Sequence, residues 1–208
     1  EGAAAVILRR YDDAQANNET IHAVIAGIGS SSSTADELHS VSPSAYEIAL
    51  QRAYEDAGID SASVRYVETH GSGTPAEDCA EIAALASFFG DAASSITLGS
   101  VKAEIGHAGA AAGLASLVRT ILCLEHDVLR PLRNVETRSR EAAAFLLPQT
   151  PVHWLRNREE GPRRAGVSAI SFDGSSVHVV LEDALPNAAA RPTPVPMPLG
   201  SGSDALFV

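Results

Sequence analysis

The chain has 208 residues, and 15 Lys and Arg stand against 26 Asp and Glu, a formal net charge of −11 at pH 7. So large an acidic excess argues against a nucleic-acid surface or an anionic membrane surface, since both need a clustered positive face. With 45% hydrophobic residues and a mean hydropathy of +0.04, the composition suits the core of one medium soluble domain and excludes a wholly disordered chain. Glu1 opens the chain and Met197 is its only methionine, so it reads as a processed piece or an excerpt. Cys79 and Cys123 are too few for a disulfide scaffold or a four-thiolate metal site. They read as small core residues in a reducing, cytoplasmic setting.

In chain order, Ala3 to Leu8 reads as a buried strand and Ile21 to Ile28 as a second, with the polar segment Asp12 to Thr20 closing an antiparallel hairpin between them. A Ser-rich stretch, Ser30 to Ser42, precedes a helix that starts near Pro43-Ser44 and ends at Gly58. Val64 to Thr69 then reads as strand, Pro75 to Phe89 as helix, Ile96 to Val101 as strand and Ile105 to Leu124 as one long apolar helix. His107 and Arg119 interrupt that last segment and argue against a membrane span. Ala165 to Phe172 and Ser176 to Glu182 read as two strands joined by the tight turn Asp173-Gly174-Ser175. Alternation of strand and helix predicts a layered α/β fold. Five prolines between Pro186 and Ser203 mark a linker, and Asp204 to Val208 turns apolar again.

Three glycine-punctuated loops follow predicted strands, where α/β folds place their ligands. They are His70-Gly71-Ser72-Gly73-Thr74, Lys102-Ala103-Glu104-Ile105-Gly106-His107 and Phe172-Asp173-Gly174-Ser175-Ser176. Singly, each is also explained as a tight turn, and each histidine as a hydrogen-bonded structural residue. Gly27-Ile28-Gly29 lacks the third glycine of a dinucleotide fingerprint. Paired histidines raise the possibility of a metal, but no His-x-x-x-His spacing or matching carboxylate completes a set.

Together, the loops HGSGT and KAEIGH and the strand turn Gly166-Val167-Ser168 to Gly174 closely resemble the C-terminal half of a β-ketoacyl synthase. The resemblance spans residues 1–183. It implies a thiolase-like fold, a layered α/β/α half with a mixed sheet, and residues 184–203 as a linker toward a further element at 204–208. The implied activity is decarboxylative Claisen condensation in fatty acid or polyketide synthesis. It would act on substrates carried by the phosphopantetheine arm of acyl carrier protein, with no cofactor bound directly and no metal.

Carried onto this sequence, the resemblance makes His70 and His107 the catalytic histidines and Lys102 the residue that orders the site. Ser72 and Thr74 would contact the phosphopantetheine arm, and Phe172 would gate the acyl pocket. Asp78 and Glu81 match acidic positions, and are equally well explained as helix N-terminal carboxylates. His178 matches a family histidine and is read as structural. His107 is expected at a helix N-terminus near Lys102, where positive potential disfavours imidazolium.

The departures are Ser72 for the usual threonine, Glu104 for asparagine, Ser176 for asparagine, and a Phe172 loop short of two glycines. Glu104 would neutralise part of Lys102, and Asp173 would have to tolerate a left-handed conformation. Neither Cys79 nor Cys123 stands in the small-residue turn of the family's nucleophile, so that cysteine lies outside this chain. The implied partners are acyl carrier protein, the N-terminal half of the ketosynthase, a second copy forming a homodimer, and an adjacent acyltransferase domain. Arg156, Arg158, Arg163 and Arg164 form the candidate basic patch for carrier docking. The alternative is a catalytically silent, ketosynthase-like protein of the chain-length-factor or structural kind. A thiolase proper is disfavoured because no cysteine follows Cys123.

Overall fold

Capping chemistry sets the helix limits. In the computed structural model, which describes residues 2–32, 42–135, 141–155, 161–171 and 173–184, a short helix α1 (Tyr11–Ala16) precedes strand β1 (Ala23–Ser32). Helix α2 (Pro43–Ala57) starts where Ser42 Oγ accepts the Ala45 N–H, with Pro43 in the first turn, and stops at Gly58, whose φ of 62° is left-handed. Strand β2 (Tyr66–Glu68), helix α3 (Pro75–Phe89), strand β3 (Thr97–Gly99), a single turn α4 (Lys102–Ile105) and helix α5 (Ala112–His126) follow. A small two-stranded sheet of β4 (Val128–Leu129) and β5 (Val152–His153) leads to the closing hairpin, β6 (Arg164–Ile170) and β7 (Ser175–Asp183).

The main sheet has the order β1-β7-β6-β2-β3. Its first three strands are antiparallel, whereas β6 and β2, and β2 and β3, run parallel. Strand alternation splits the core into two layers. Val67, Leu98 and Val180 pack with Tyr46, Leu50 and Tyr54 of α2 and Leu85 and Phe89 of α3 on one face. Tyr66, Val167 and Leu181 pack with Leu117 and Leu124 of α5 and with Trp154 on the other. The result is the expected α/β/α arrangement around a mixed sheet.

Gly27 and Gly29 allow α2 to lie directly against β1. A Cβ at Gly27 would come within 2.5 Å of the Ala53 carbonyl oxygen, and one at Gly29 within 2.1 Å of the Ala49 carbonyl oxygen. That close approach accounts for the Gly-Ile-Gly pattern without a phosphate ligand.

Two sequence expectations are corrected. Ala3 to Leu8 forms no strand, and Ile7 and Leu8 are exposed; residues 11–16 are helical, so the N-terminal hairpin is absent and β1 pairs with β7 instead. The expected long helix at Ile105 is interrupted. Gly106 and Gly109 take positive φ values of 77° and 58°, which break the path between α4 and α5. The linker and the closing apolar residues at 185–208 lie outside the described residues.

Candidate active site

β2 and β3 are adjacent and parallel, so the loops that leave them emerge side by side. HGSGT follows β2 and KAEIGH follows β3, which brings His70 and His107 together with ring centroids 5.6 Å apart and planes at 73°. Lys102, on α4, donates from Nζ to the His70 carbonyl oxygen. His70 and Lys102 are buried, and His107 is exposed.

Hydrogen bonding fixes the tautomer of both rings. The Ile170 N–H at the end of β6 donates to His70 Nδ1 at 3.1 Å, and the Gly109 N–H donates to His107 Nδ1 at 3.1 Å. A neutral imidazole that accepts at Nδ1 carries its proton on Nε2. Both histidines therefore hold an Nε2–H donor ready for a ligand. Burial, then the Lys102 ammonium and His107, lower the His70 pKa to about 4, so the ring is neutral at physiological pH. His107 does not sit on a helix N-terminus as expected from the sequence; the loop ahead of α5 carries it.

Two buried carboxylates hold the two loops. Glu81 of α3, 2% exposed, accepts the backbone N–H groups of His70 at 2.7 Å and Gly71 at 2.9 Å, and the Tyr46 hydroxyl at 2.9 Å. Gly71 has φ of +50°, and a Cβ there would meet Ser100 Oγ at 2.7 Å, so this turn requires glycine. Glu68, at the end of β2 and fully buried, accepts the Val101 N–H, the Tyr66 hydroxyl and Arg119 Nη1, the last at 2.6 Å. Asp78 accepts the Gly73 N–H at 3.2 Å and the Ser72 hydroxyl at 3.4 Å.

Other site expectations fare differently. Ser72 Oγ also accepts the Thr74 N–H at 3.1 Å, so its hydroxyl shapes the loop, while Thr74 is exposed at the start of α3. Phe172 lies outside the described residues. Gly174, with φ of +79°, supplies the left-handed residue of its turn, and Asp173 accepts the Ser175 N–H instead. Glu104 does not neutralise Lys102. Its carboxylate lies 3.6 Å from Arg119 Nη2 and 3.3 Å from Arg130 Nε. Cys123 is buried as expected, but Cys79 is exposed. The basic patch is not supported: Arg163 pairs with Asp127 and Asp183, and Arg164 with Glu182, while Arg156 and Arg158 lie outside the described residues. Among the described residues, no group of three or more His, Cys, Asp or Glu is placed to hold a metal, and no helix is long and apolar enough to cross a membrane.

Glu68, Arg119 and Tyr46 are not singled out by the sequence motifs, and Glu81 is ambiguous in them. A usable signal existed. Arg119 stands inside an apolar helix, and a buried guanidinium requires a carboxylate partner.

The chain's first 136 residues match the family model described as beta-ketoacyl synthase, C-terminal domain. The chain belongs to the β-ketoacyl synthase family. Among curated relatives of this family, a polyunsaturated fatty acid synthase of Thraustochytrium sp. is 37% identical over 98% of the chain and 8% of that protein. Phthioceranic/hydroxyphthioceranic acid synthase of Mycobacterium tuberculosis is 36% identical over 100% of the chain and 10% of its own length. The chain thus spans a tenth or less of these relatives. Among solved structures, the ketosynthase from module 6 of the Bacillus subtilis bacillaene synthase superposes with a TM-score of 0.78 at 30% identity, over 86% of this chain and 34% of that one. An oxazolomycin ketosynthase domain of Streptomyces albus gives 0.77 at 32% identity, over 86% and 32%. The mixed sheet of β-ketoacyl synthases is thus the sheet described above.

The fully buried His178 ties the two strands of the hairpin to α2, and burial lowers its pKa to about 3. An unfolded histidine takes up its proton near pH 6.5, so the unfolded chain binds more protons than the folded one below that pH. Stability from neutral His178 is therefore complete above about pH 6.5 and is lost as the pH falls from there toward about 3. Melting temperatures of the ketosynthase domain containing this segment are expected to fall on acidification from about pH 7 to about pH 4, with a shallower slope for His178→Asn.

Proposed function

We propose that this segment supplies the decarboxylation apparatus of a β-ketoacyl synthase, acting in the cytoplasm within a larger synthase. The observation that carries the reading is the pair of adjacent imidazoles, each held by a backbone N–H at Nδ1 so that each presents its Nε2 side. In decarboxylation of a malonyl thioester, the bond between Cα and the carboxylate breaks. Carbon dioxide leaves, and the electron pair moves onto the thioester oxygen as an enolate. Two fixed donors stabilise that oxygen more than the ground-state carbonyl, which lowers the barrier. The enolate carbon then attacks the acyl thioester on a cysteine outside this chain, forming the new carbon–carbon bond and expelling that thiolate.

In this reading His70 and His107 donate to the enolate oxygen. Lys102 holds the His70 backbone and places a cation near the departing carboxylate. The reading assigns contacts with the phosphopantetheine arm and acyl chain delivered by acyl carrier protein to Ser72, Thr74 and Phe172. The N-terminal half of the domain brings the nucleophile and the rest of the pocket. A homodimer, residues 1–183 as the ketosynthase half, residues 184–203 as linker, residues 204–208 as the start of a further element and a neighbouring acyltransferase complete the arrangement.

Carbon dioxide release from malonyl-carrier protein by the full-length synthase tests the reading. His107→Leu is expected to slow release about 100-fold, the cost of one oxyanion donor. His107→Gln retains an N–H donor and is expected to fall between Leu and the wild type. Equal rates for all three proteins, or no release by the wild type, would overturn the assignment.

A further inference from the structure

Behind the two histidines a chain of buried polar side chains runs from α2 through the closing hairpin to α3. Tyr54 Oη lies 3.4 Å from His178 Nε2, His178 Nδ1 lies 2.8 Å from Ser168 Oγ, Ser168 Oγ lies 2.6 Å from Tyr46 Oη, and Tyr46 Oη lies 2.9 Å from Glu81 Oε1. All five residues are at most 5% exposed. The arrangement is built for these groups. A Cβ at Gly166 would come within 2.6 Å of the His178 ring, so glycine on β6 makes room for it. Ser168 and His178 are register partners across the hairpin, and the Tyr54 and His178 rings lie 5.5 Å apart.

Each intermediate member has one proton to give, so a proton committed to one neighbour leaves the other neighbour to donate. Glu81 sets the direction. Burial raises its pKa, but both of its oxygens already accept backbone N–H groups, so toward Tyr46 it is the acceptor at the end of the line. Tyr46 therefore donates to Glu81, Ser168 donates to Tyr46, His178 donates from Nδ1 to Ser168, and Tyr54 donates to His178 Nε2. An aligned chain of this kind strengthens its terminal bond.

We propose that Tyr46, Ser168 and His178 are positioning residues for the reacting histidine: they hold the Glu81 carboxylate that fixes the His70 and Gly71 amides, and so set where the His70 ring stands. The same strand supplies both grips on that histidine. Ser168 feeds the chain behind it, and Ile170, two residues on, donates its N–H to the His70 ring. Losing the Tyr46 hydroxyl leaves Glu81 with only its backbone donors, and losing the Ser168 hydroxyl removes the partner that orients Tyr46 toward Glu81; either frees the carboxylate to shift. Small displacements of a reacting group cost large factors in rate.

This inference rests on the decarboxylation reading, and the test separates the two. In the full-length synthase, kcat and KM for carbon dioxide release from malonyl-carrier protein are measured beside acyl loading of the nucleophile. Tyr46→Phe and Ser168→Ala are expected to lower kcat for release about tenfold, with KM and acyl loading within about twofold of the wild type. Ser168→Thr keeps a hydroxyl and is expected to restore kcat to within about twofold. An unchanged kcat in Tyr46→Phe, a parallel fall in acyl loading, or failure of Ser168→Thr to recover would overturn the relay. His70→Ala serves as the reference: undiminished release by that variant would overturn the decarboxylation reading itself, whatever the relay variants do.

Discussion

Replacing His70 by alanine is expected to cut carbon dioxide release and chain extension by the full-length synthase at least about 100-fold, while acyl transfer onto the nucleophile survives in large part. The split follows from where charge develops. On the proposed reading, the oxyanion of acyl loading forms on the acyl group attached to a residue outside this chain, whereas that of decarboxylation forms on the extender thioester, to which the Nε2–H of His70 would donate. His70 is also the better held of the two donors. Its N–H goes to Glu81, its carbonyl receives Lys102 and its Nδ1 receives Ile170, whereas His107 is exposed and tied at Nδ1 by Gly109. Preorganisation is what makes a donor effective, because a ring that must reorient as the charge forms spends part of the gain. His70→Ala should therefore cost at least as much as His107→Leu. Radiolabelled acyl loading and carbon dioxide release measured on the same preparation check this, and a variant that extends chains at the wild-type rate would remove His70 from the chemistry.

Much of the fold was legible where local chemistry decides it. Ser42, Pro43 and Gly58 bracket α2, and Pro75 and Phe89 bound α3, because caps and prolines act on their own few residues. The tight turn before β7 was legible for the same reason. Ala3 to Leu8 misled because hydrophobic content says a segment could pair but not with what. The partner that wins β1 is β7, some 150 residues away, and the N-terminal residues stay outside the sheet. The long-helix reading failed at Gly106 and Gly109, whose positive φ values swing His107 out of the helix and toward His70. Among the site residues, both histidines and Lys102 stand in loops whose motif is continuous in sequence, so they could be named at once. The groups that hold them could not. Glu81, Tyr46 and Ser168 come from three separate elements, and only the packing of α2 and α3 on the sheet brings them into reach.

The largest expected loss of stability comes from Arg119. Arg119 is 6% exposed and Glu68 fully buried, and their Nη1 to Oε2 contact of 2.6 Å is shared with the Tyr66 hydroxyl, 2.9 Å from the same nitrogen. Gly99 leaves the space for it, since a Cβ there would come within 2.7 Å of Arg119 Nη1. Burial already raises the Glu68 pKa, and Arg119→Met keeps the aliphatic bulk but takes away the cation that offsets that burial; breaking such a buried pair costs about 3–5 kcal/mol. Pairing it with Glu68→Gln removes the carboxylate too, and the double variant is expected to recover part of the loss, since a pair missing one partner is worse than no ions at all. Recovery in activity should lag behind recovery in stability. Glu68 also accepts the Val101 N–H, one residue before Lys102, so an amide there retains one acceptor for the turn but no longer the charge that faces the Lys102 ammonium. Thermal unfolding of the ketosynthase domain for wild type, both single variants and the double decides the matter: a loss below about 1 kcal/mol for Arg119→Met, or no recovery in the double, would show that the ion pair does not hold this loop.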